Sequence, residues 1–302
     1  MRPRPFALER YFAEYEFTAR YLLCSSDAQS LSIGELLAYE PGSQERLCET
    51  WLGYTQSRGG PELRRLVARL YQRTGEDSVL ICGGSNEPIF AFMNVTLGPG
   101  DHVVAQFPAY QSHYSVAEAI GAEVTPWNAR LAGDGAPDPE ELAAAIRPNT
   151  RAIVITTPNN PTGYVFDRAR LDAVVEIARR HGLWLFSDEV YRGSERDARD
   201  VHPAVCDLYE RGVSLGGLAK AHGLPGLRIG WIATHDAELY RRMAEFKDYL
   251  TICNAAPSEF LAGIALRHND ALLERTRATT TRNLDLLDAF FADRSAQWEW
   301  YR

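Results

Sequence analysis

The 302-residue chain has no excess of positive charge: 32 Lys and Arg stand against 40 Asp and Glu, for a net charge of −8. An acidic surface repels phosphate backbones, so neither nucleic acid nor an anionic membrane is expected as a partner. No apolar run approaches the roughly 18 residues of a membrane span. The start, Met1-Arg2-Pro3-Arg4-Pro5, lacks the apolar core of a signal peptide. Cysteine is sparse, scattered and odd in number: Cys24, Cys48, Cys82, Cys206 and Cys253. None has metal-ligand spacing, so no metal is expected, and the five read as reduced thiols of a cytoplasmic protein. Internal repeats are absent. What remains is 45% hydrophobic and 24% charged, an ordinary globular balance, long enough for a large domain and a smaller one.

From about Val79 onward, short apolar runs alternate with amphipathic stretches, the pattern of βαβ units around a largely parallel sheet. Strands are predicted at 79–82, 102–106, 152–156, 183–187, 213–215 and 229–233. Helices are predicted at 87–97, 111–120, 140–146, 167–181 and 237–247. In the fourth of these, Leu171, Val174, Val175 and Ala178 fall on one stripe and Gly182 stops it. Residues 132–139 (AGDGAPDP) read as a surface loop. The first 40 residues are less regular and aromatic-rich. The stretch from Leu272 to Arg302 reads as helix, until Trp298, Trp300 and Tyr301 suggest the edge of a sheet.

Open α/β sheets bind ligands beyond the carboxyl ends of their strands, which selects four loops. Gly83-Gly84-Ser85-Asn86-Glu87 is a glycine-rich turn opening a helix, where free N–H groups can meet an anion. Pro158-Asn159-Asn160-Pro161-Thr162-Gly163 reads as a sharp turn after a buried strand, with Asn160 pushed toward extended backbone. Asp188-Glu189-Val190-Tyr191 follows the next strand, and Asp188 alone would pass for a cap. The fourth, Leu218-Ala219-Lys220-Ala221-His222-Gly223-Leu224-Pro225-Gly226-Leu227-Arg228-Ile229-Gly230-Trp231, could be an irregular loop with one solvated lysine.

Taken together, PNNPTG at 158–163, DEVY at 188–191 and LAKAHGLPGLRIGW at 218–231 resemble the fold-type I aminotransferases of class I and II, which use pyridoxal phosphate (PLP). The resemblance covers roughly residues 54–257, and Asp188 follows Asn160 by 28 residues, Lys220 follows Asp188 by 32, and Arg228 follows Lys220 by 8, as in that family. It implies an α/β fold with a mostly parallel central sheet flanked by helices. Residues 1–45 would be an arm and part of a small domain, and 46–265 the large PLP-binding domain. Residues 266–302 would begin a C-terminal small domain that is incomplete here.

By the same resemblance Lys220 forms the Schiff base with PLP, and Asp188 holds the charge of the pyridine nitrogen. Tyr191 and Asn160 bond the ring's phenolate oxygen, Arg228 and the N–H groups of Ser85 and Asn86 bind the phosphate, and Tyr110 stacks on the ring. Tyr54 would reach the phosphate of a neighbouring subunit, which implies a homodimer. Two positions depart from the family, where serine is common three residues and one residue before the lysine: Gly217 and Ala219 stand there. Family members also run several dozen residues past a point like Arg302, in a part carrying the arginine that clamps the substrate carboxylate. The implied activity is transfer of an amino group between an amino acid and a 2-oxo acid. The alternatives are elimination or cyclisation of a modified amino acid, as in capreomycidine synthases, and a non-catalytic aminotransferase-like domain.

Overall fold

The computed structural model describes residues 1–130, 135–298 and 300. An N-terminal stretch carries the short helices α1 (Ala7–Tyr15), α2 (Ile33–Leu37), α3 (Ser43–Cys48) and α4 (Pro61–Ala68). Strands and helices then alternate: β1 (Val79–Cys82), α5 (Asn86–Thr96), β2 (His102–Phe107), α6 (Ser112–Ile120), β3 (Glu123–Asn128), α7 (Pro139–Ala145), β4 (Thr150–Thr156), α8 (Arg168–Arg180) and β5 (Trp184–Asp188). After α9 (Val205–Leu208) come β6 (Gly212–Gly217), β7 (Gly230–Thr234), α10 (Ala237–Lys247), α11 (Ala256–Arg267) and α12 (Asn269–Ala292).

The strands form one seven-stranded sheet in the order β1-β7-β6-β5-β4-β2-β3. β7 runs antiparallel to both its neighbours, and the other pairs are parallel. Strands buried on both faces need apolar residues at every position, and β4 supplies Ala152, Ile153, Val154 and Ile155, all buried. Their alternation divides the core. Ala152 and Val154 join Phe92, Met93, Phe186 and Met243 beneath α5 and α10, while Ile153 and Ile155 join Leu142, Leu171, Val174 and Val175 beneath α7 and α8. A third cluster packs α2, α4 and α11 against Val79, Ile81 and Trp231 at the other end of the sheet.

Helix α8 starts as its sequence predicts, with the Asp167 carboxylate accepting from the Arg170 N–H at 2.8 Å. It ends at Gly182, whose φ of +63° suits glycine. Three readings need correction. β3 was not predicted: as an edge strand paired only with β2 it carries Pro126 and exposed polar residues, so the apolar signal is weak. The C-terminal helix is α12, which starts at Asn269 and ends at Ala292. Trp298 and Trp300 join no strand; Trp300 instead stacks on Phe291 with ring centroids 4.9 Å apart, its indole N–H donating to Asp288 at 2.7 Å. Tyr301 lies outside the described residues, as does part of the loop foreseen at 132–139, the last residues of which cap and open α7.

Glu40 ties the N-terminal helices to α11: its carboxylate accepts from Arg267 at 2.7 Å and from Arg46 at 2.8 Å. The Arg267 hydrogen bond outweighs the desolvation that opposes it, and together with Arg46 holds the carboxyl at about 2. A depressed carboxylate pKa contributes stability at neutral pH that disappears as pH falls toward that value. Glu40→Gln should therefore cost about 1 kcal/mol in urea unfolding at pH 7. The gap between the two proteins should narrow steadily below about pH 4.5; a gap independent of pH would assign the effect to packing.

Candidate functional site

The parallel strands and β1 all end at one edge of the sheet, and β7 begins there. Thr156 lies opposite Asp188, Asp188 opposite Leu215, Gly217 opposite Gly230, and Gly230 opposite Cys82. Every loop singled out in the sequence therefore opens on the same edge. Asp188 is the last residue of β5 and is buried. One of its oxygens accepts from the Val190 N–H at 3.2 Å, so the capping role is real. The other meets His113 Nε2 at 2.9 Å, inside the protein.

Lys220 sits in the loop after β6. That loop is held by backbone bonds: Leu218 N–H donates to Ile229 and Gly223 N–H to Lys220 within it, and Ala221 N–H donates to Val190 in the loop after β5. Lys220 Nζ donates to Asp27 Oδ1 at 2.5 Å and to Ser26 Oγ at 3.0 Å. Burial alone would lower the pKa of the ammonium, but the Tyr191 phenol and the Asp27 carboxylate lift it above the ordinary lysine value. Burial raises the phenols of Tyr191 and Tyr110, while the nearby Lys220 charge pulls each back. Lys220, Tyr191, Tyr110 and Asp188 thus share one electrostatic neighbourhood. Tyr110 accepts a hydrogen bond from Asn86 Nδ2 at 3.2 Å and has the Phe6 ring 5.0 Å away.

The glycine-rich turn closes the site toward β1 and β7. Ser85 is the N-cap of α5 and Asn86 its first residue, so their N–H groups open a helix. Gly84 has φ of +88°, and a Cβ there would come within 2.4 Å of the Arg228 guanidinium. Arg228, in the left-handed region at φ 51°, brings its charge to that turn. A Cβ at Gly217 would meet Ser85 Oγ at 2.7 Å, so the hydroxyl of Ser85 stands in the space that a serine at 217 would need. Ser85 Oγ is a buried atom without a hydrogen-bond partner, and the buried Tyr191 hydroxyl lies beside Ser26. An orphaned hydroxyl at a helix N-terminus calls for a polar ligand. A phosphate there would satisfy it, and an aromatic ring bearing oxygen could lie beside Tyr191, so the residues present fit PLP.

Asn160 is half-buried in the turn after β4, which Asn159 closes by accepting from Gly163 N–H and donating to Tyr164 and Thr162. The Thr157 N–H donates to the Asp188 carbonyl at 3.0 Å, holding this turn against β5. Tyr54 is the sequence-named residue that the chain leaves outside: it is 84% exposed, beside exposed Trp51 and Leu52, and is not packed in a core. His113, Ser26 and Asp27 were not foreseen. His113 lies one turn after Tyr110, the one signal that could have drawn notice. A cavity of about 690 Å³ along α12, lined by Arg277, Thr281 and Leu286 among others, includes none of these side chains. The site lies at the sheet edge, with 29% of the Lys220 side chain exposed.

The sequence model of the family described as Aminotransferase class I and II matches residues 26–301. The chain belongs to this family. Capreomycidine synthase from Streptomyces vinaceus is 32% identical over 273 residues, 88% of this chain and 68% of that enzyme. Arginine–pyruvate transaminase from Pseudomonas aeruginosa is 32% identical over 250 residues, 80% of this chain and 62% of that one. The chain thus spans roughly two thirds of the length of the curated relatives it matches. The crystal structure of a PLP-dependent aminotransferase from Streptococcus suis superimposes with a TM-score of 0.91 at 33% identity, covering 97% of this chain and 78% of that one. The fold is therefore that of the fold-type I PLP enzymes.

Because Gly84 uses both a left-handed backbone and the absence of a Cβ, Gly84→Ala should cost about 1–2 kcal/mol in denaturant unfolding. Gly226→Ala, where a Cβ meets nothing within 4 Å, should be nearly neutral. Equal effects at the two glycines would remove the argument for a crowded Arg228 turn.

Proposed function

We propose that the protein is a PLP-dependent aminotransferase that moves an amino group between an amino acid and a 2-oxo acid, with Lys220 as its cofactor-binding lysine. The observation that carries this reading is the gathering of Lys220, Tyr191, Tyr110 and Asp188 at one sheet edge, next to a phosphate-ready helix N-terminus. Bound PLP supplies a sink for the electron pair left when an α-proton is removed. Lys220 would be the amine that holds the cofactor's aldehyde, and the same amine would take up and return the substrate's α-proton. Asp188, kept in place by His113 and the Val190 N–H, holds the proton on the ring nitrogen. Tyr191 and Asn160 would bond the ring's phenolate oxygen, and Tyr110 would lie on the ring face. Arg228 and the Ser85 and Asn86 N–H groups would hold the phosphate, with the Ser85 hydroxyl replacing the bond that Gly217 cannot make.

The similarity to capreomycidine synthase over 88% of the chain supports a second reading, elimination or cyclisation of a modified amino acid. Both chemistries begin with loss of the α-proton, so the same residues serve either. Exposed Tyr54, Trp51 and Leu52 support a homodimer in which Tyr54 reaches the neighbour's phosphate. Among the described residues no helix is long and apolar enough to cross a membrane, and no disulfide joins the cysteines, which supports a cytoplasmic setting.

Borohydride reduction of the PLP-loaded protein should fix the cofactor to a peptide containing Lys220, and Lys220→Ala should abolish that label. Labelling elsewhere would end this assignment. Asp188→Asn should keep the fold and raise the barrier to α-proton loss by about 3–4 kcal/mol, the scale of removing a preorganised electrostatic partner. Wild-type turnover in that variant would leave Asp188 as a cap alone. For the dimer, light scattering should give twice the chain mass; a fully active monomer would exclude the shared site.

A further inference from the structure

Asp27 has no task in the reading above, yet the fold brings it to the reacting lysine across 193 residues of sequence. Its position is built rather than incidental. Two residues on, the Gln29 carbonyl accepts from Arg275 at 2.7 Å and lies against Gly223, where a Cβ would come within 2.8 Å of it. Ser26 reaches Lys220 from the same turn at 3.0 Å. The other acids that bear on the cleft are engaged differently. Asp188 is buried against His113, and Glu189 is buried against the Val205 N–H and the Ser214 hydroxyl, while Glu9 bears on Tyr110 from α1. Asp27 keeps about a third of its side chain exposed, 32%, while it holds Lys220.

On the PLP reading, Lys220 is committed to the cofactor and its ammonium is withdrawn from Asp27. A partly exposed carboxylate is then left without its ion-pair partner, beside the lysine at which substrate is handled. Arg228 is held at the Gly84 turn, and the substrate's own α-amine is consumed in joining the cofactor. A cationic group on the substrate's side chain would restore the ion pair that Lys220 gives up. We propose that Asp27 is a specificity-determining residue that selects amino acids whose side chain ends in a guanidinium or ammonium group. A dicarboxylic amino acid would be repelled by the same oxygen atoms, and a short neutral one would leave them unpaired.

This inference rests on the PLP reading, and the test separates the two. The PLP-loaded protein is titrated calorimetrically with 5-guanidinovalerate and with valerate, which lack the α-amine and cannot react. Arginine, ornithine, alanine and glutamate are followed by the absorbance of the bound cofactor. Wild type should bind 5-guanidinovalerate about 10–100-fold more tightly than valerate, the range of a charge-assisted hydrogen bond. In Asp27→Asn that preference should collapse, and the arginine-to-alanine ratio should fall by the same factor. Asp27→Glu should restore part of it. Loss of affinity for arginine and alanine in equal proportion would overturn the proposal, since Asp27 would then act on the α-amine or on Lys220. Absence of any guanidinium preference in wild type would overturn it as well. Failure of the PLP reading has a different signature: no cofactor absorbance before any ligand is added.

Discussion

Everything at the site hangs on the register in which β4, β5, β6 and β1 end where β7 begins. Thr156, Asp188 and Leu215 lie level across β4, β5 and β6, and two residues further along β6 Gly217, Gly230 and Cys82 lie level across β6, β7 and β1. Side chains alternate between faces along a strand, so a slip of one residue in β5 would carry Asp188 to the layer beneath α8 and away from His113. The reversed direction of β7 matters equally. It lets the chain leave β6 at Gly217, pass Lys220, and return at Gly230, so that Arg228 arrives beside the β1 turn rather than at the far end of the sheet. Three glycines make the crossing possible, because a Cβ at Gly84, Gly217 or Gly230 would strike a neighbour inside 3 Å.

Charge is distributed across this edge in a graded way. Asp188 and Glu189 are consecutive and both buried, yet they serve opposite ends. Asp188 faces His113 and the cleft, whereas Glu189 turns toward Val205 and Ser214, and its desolvation raises its pKa. Alternation along the strand separates them. On the other side, Lys220 pairs with the Asp27 carboxylate and lies beside the phenols of Tyr191 and Tyr110, and these neighbours favour its ammonium despite burial. Any ligand that engages Lys220 therefore changes the electrostatic state of Tyr191, Tyr110 and Asp27 at once.

Much of the fold was legible because its signals are local. Buried strands such as β4 read as unbroken apolar runs, α8 carries its stripe and its caps, and turn residues such as Gly182 stand at the breaks. The loop motifs around Asn160, Asp188, Lys220 and Arg228 were legible for a related reason. Each needs particular residue types at fixed short spacing, and the strand rule says which end of the sheet they occupy. β3 escaped because an edge strand half open to solvent has little apolar content to betray it.

What sequence alone determined was the class of protein, and the loops that carry its motifs. Tertiary structure decided which additional groups meet them. The His113–Asp188 pair joins residues 75 apart, and the Asp27–Lys220 pair residues 193 apart. His113 has only its place one turn after Tyr110 to mark it and Asp27 has no local mark, since a histidine on a helix and an aspartate in an arm are both compatible with solvent. Their partners follow from how α6 packs on β5 and how the arm settles on Gly223, and packing of that range is set by the whole core rather than by any window of sequence.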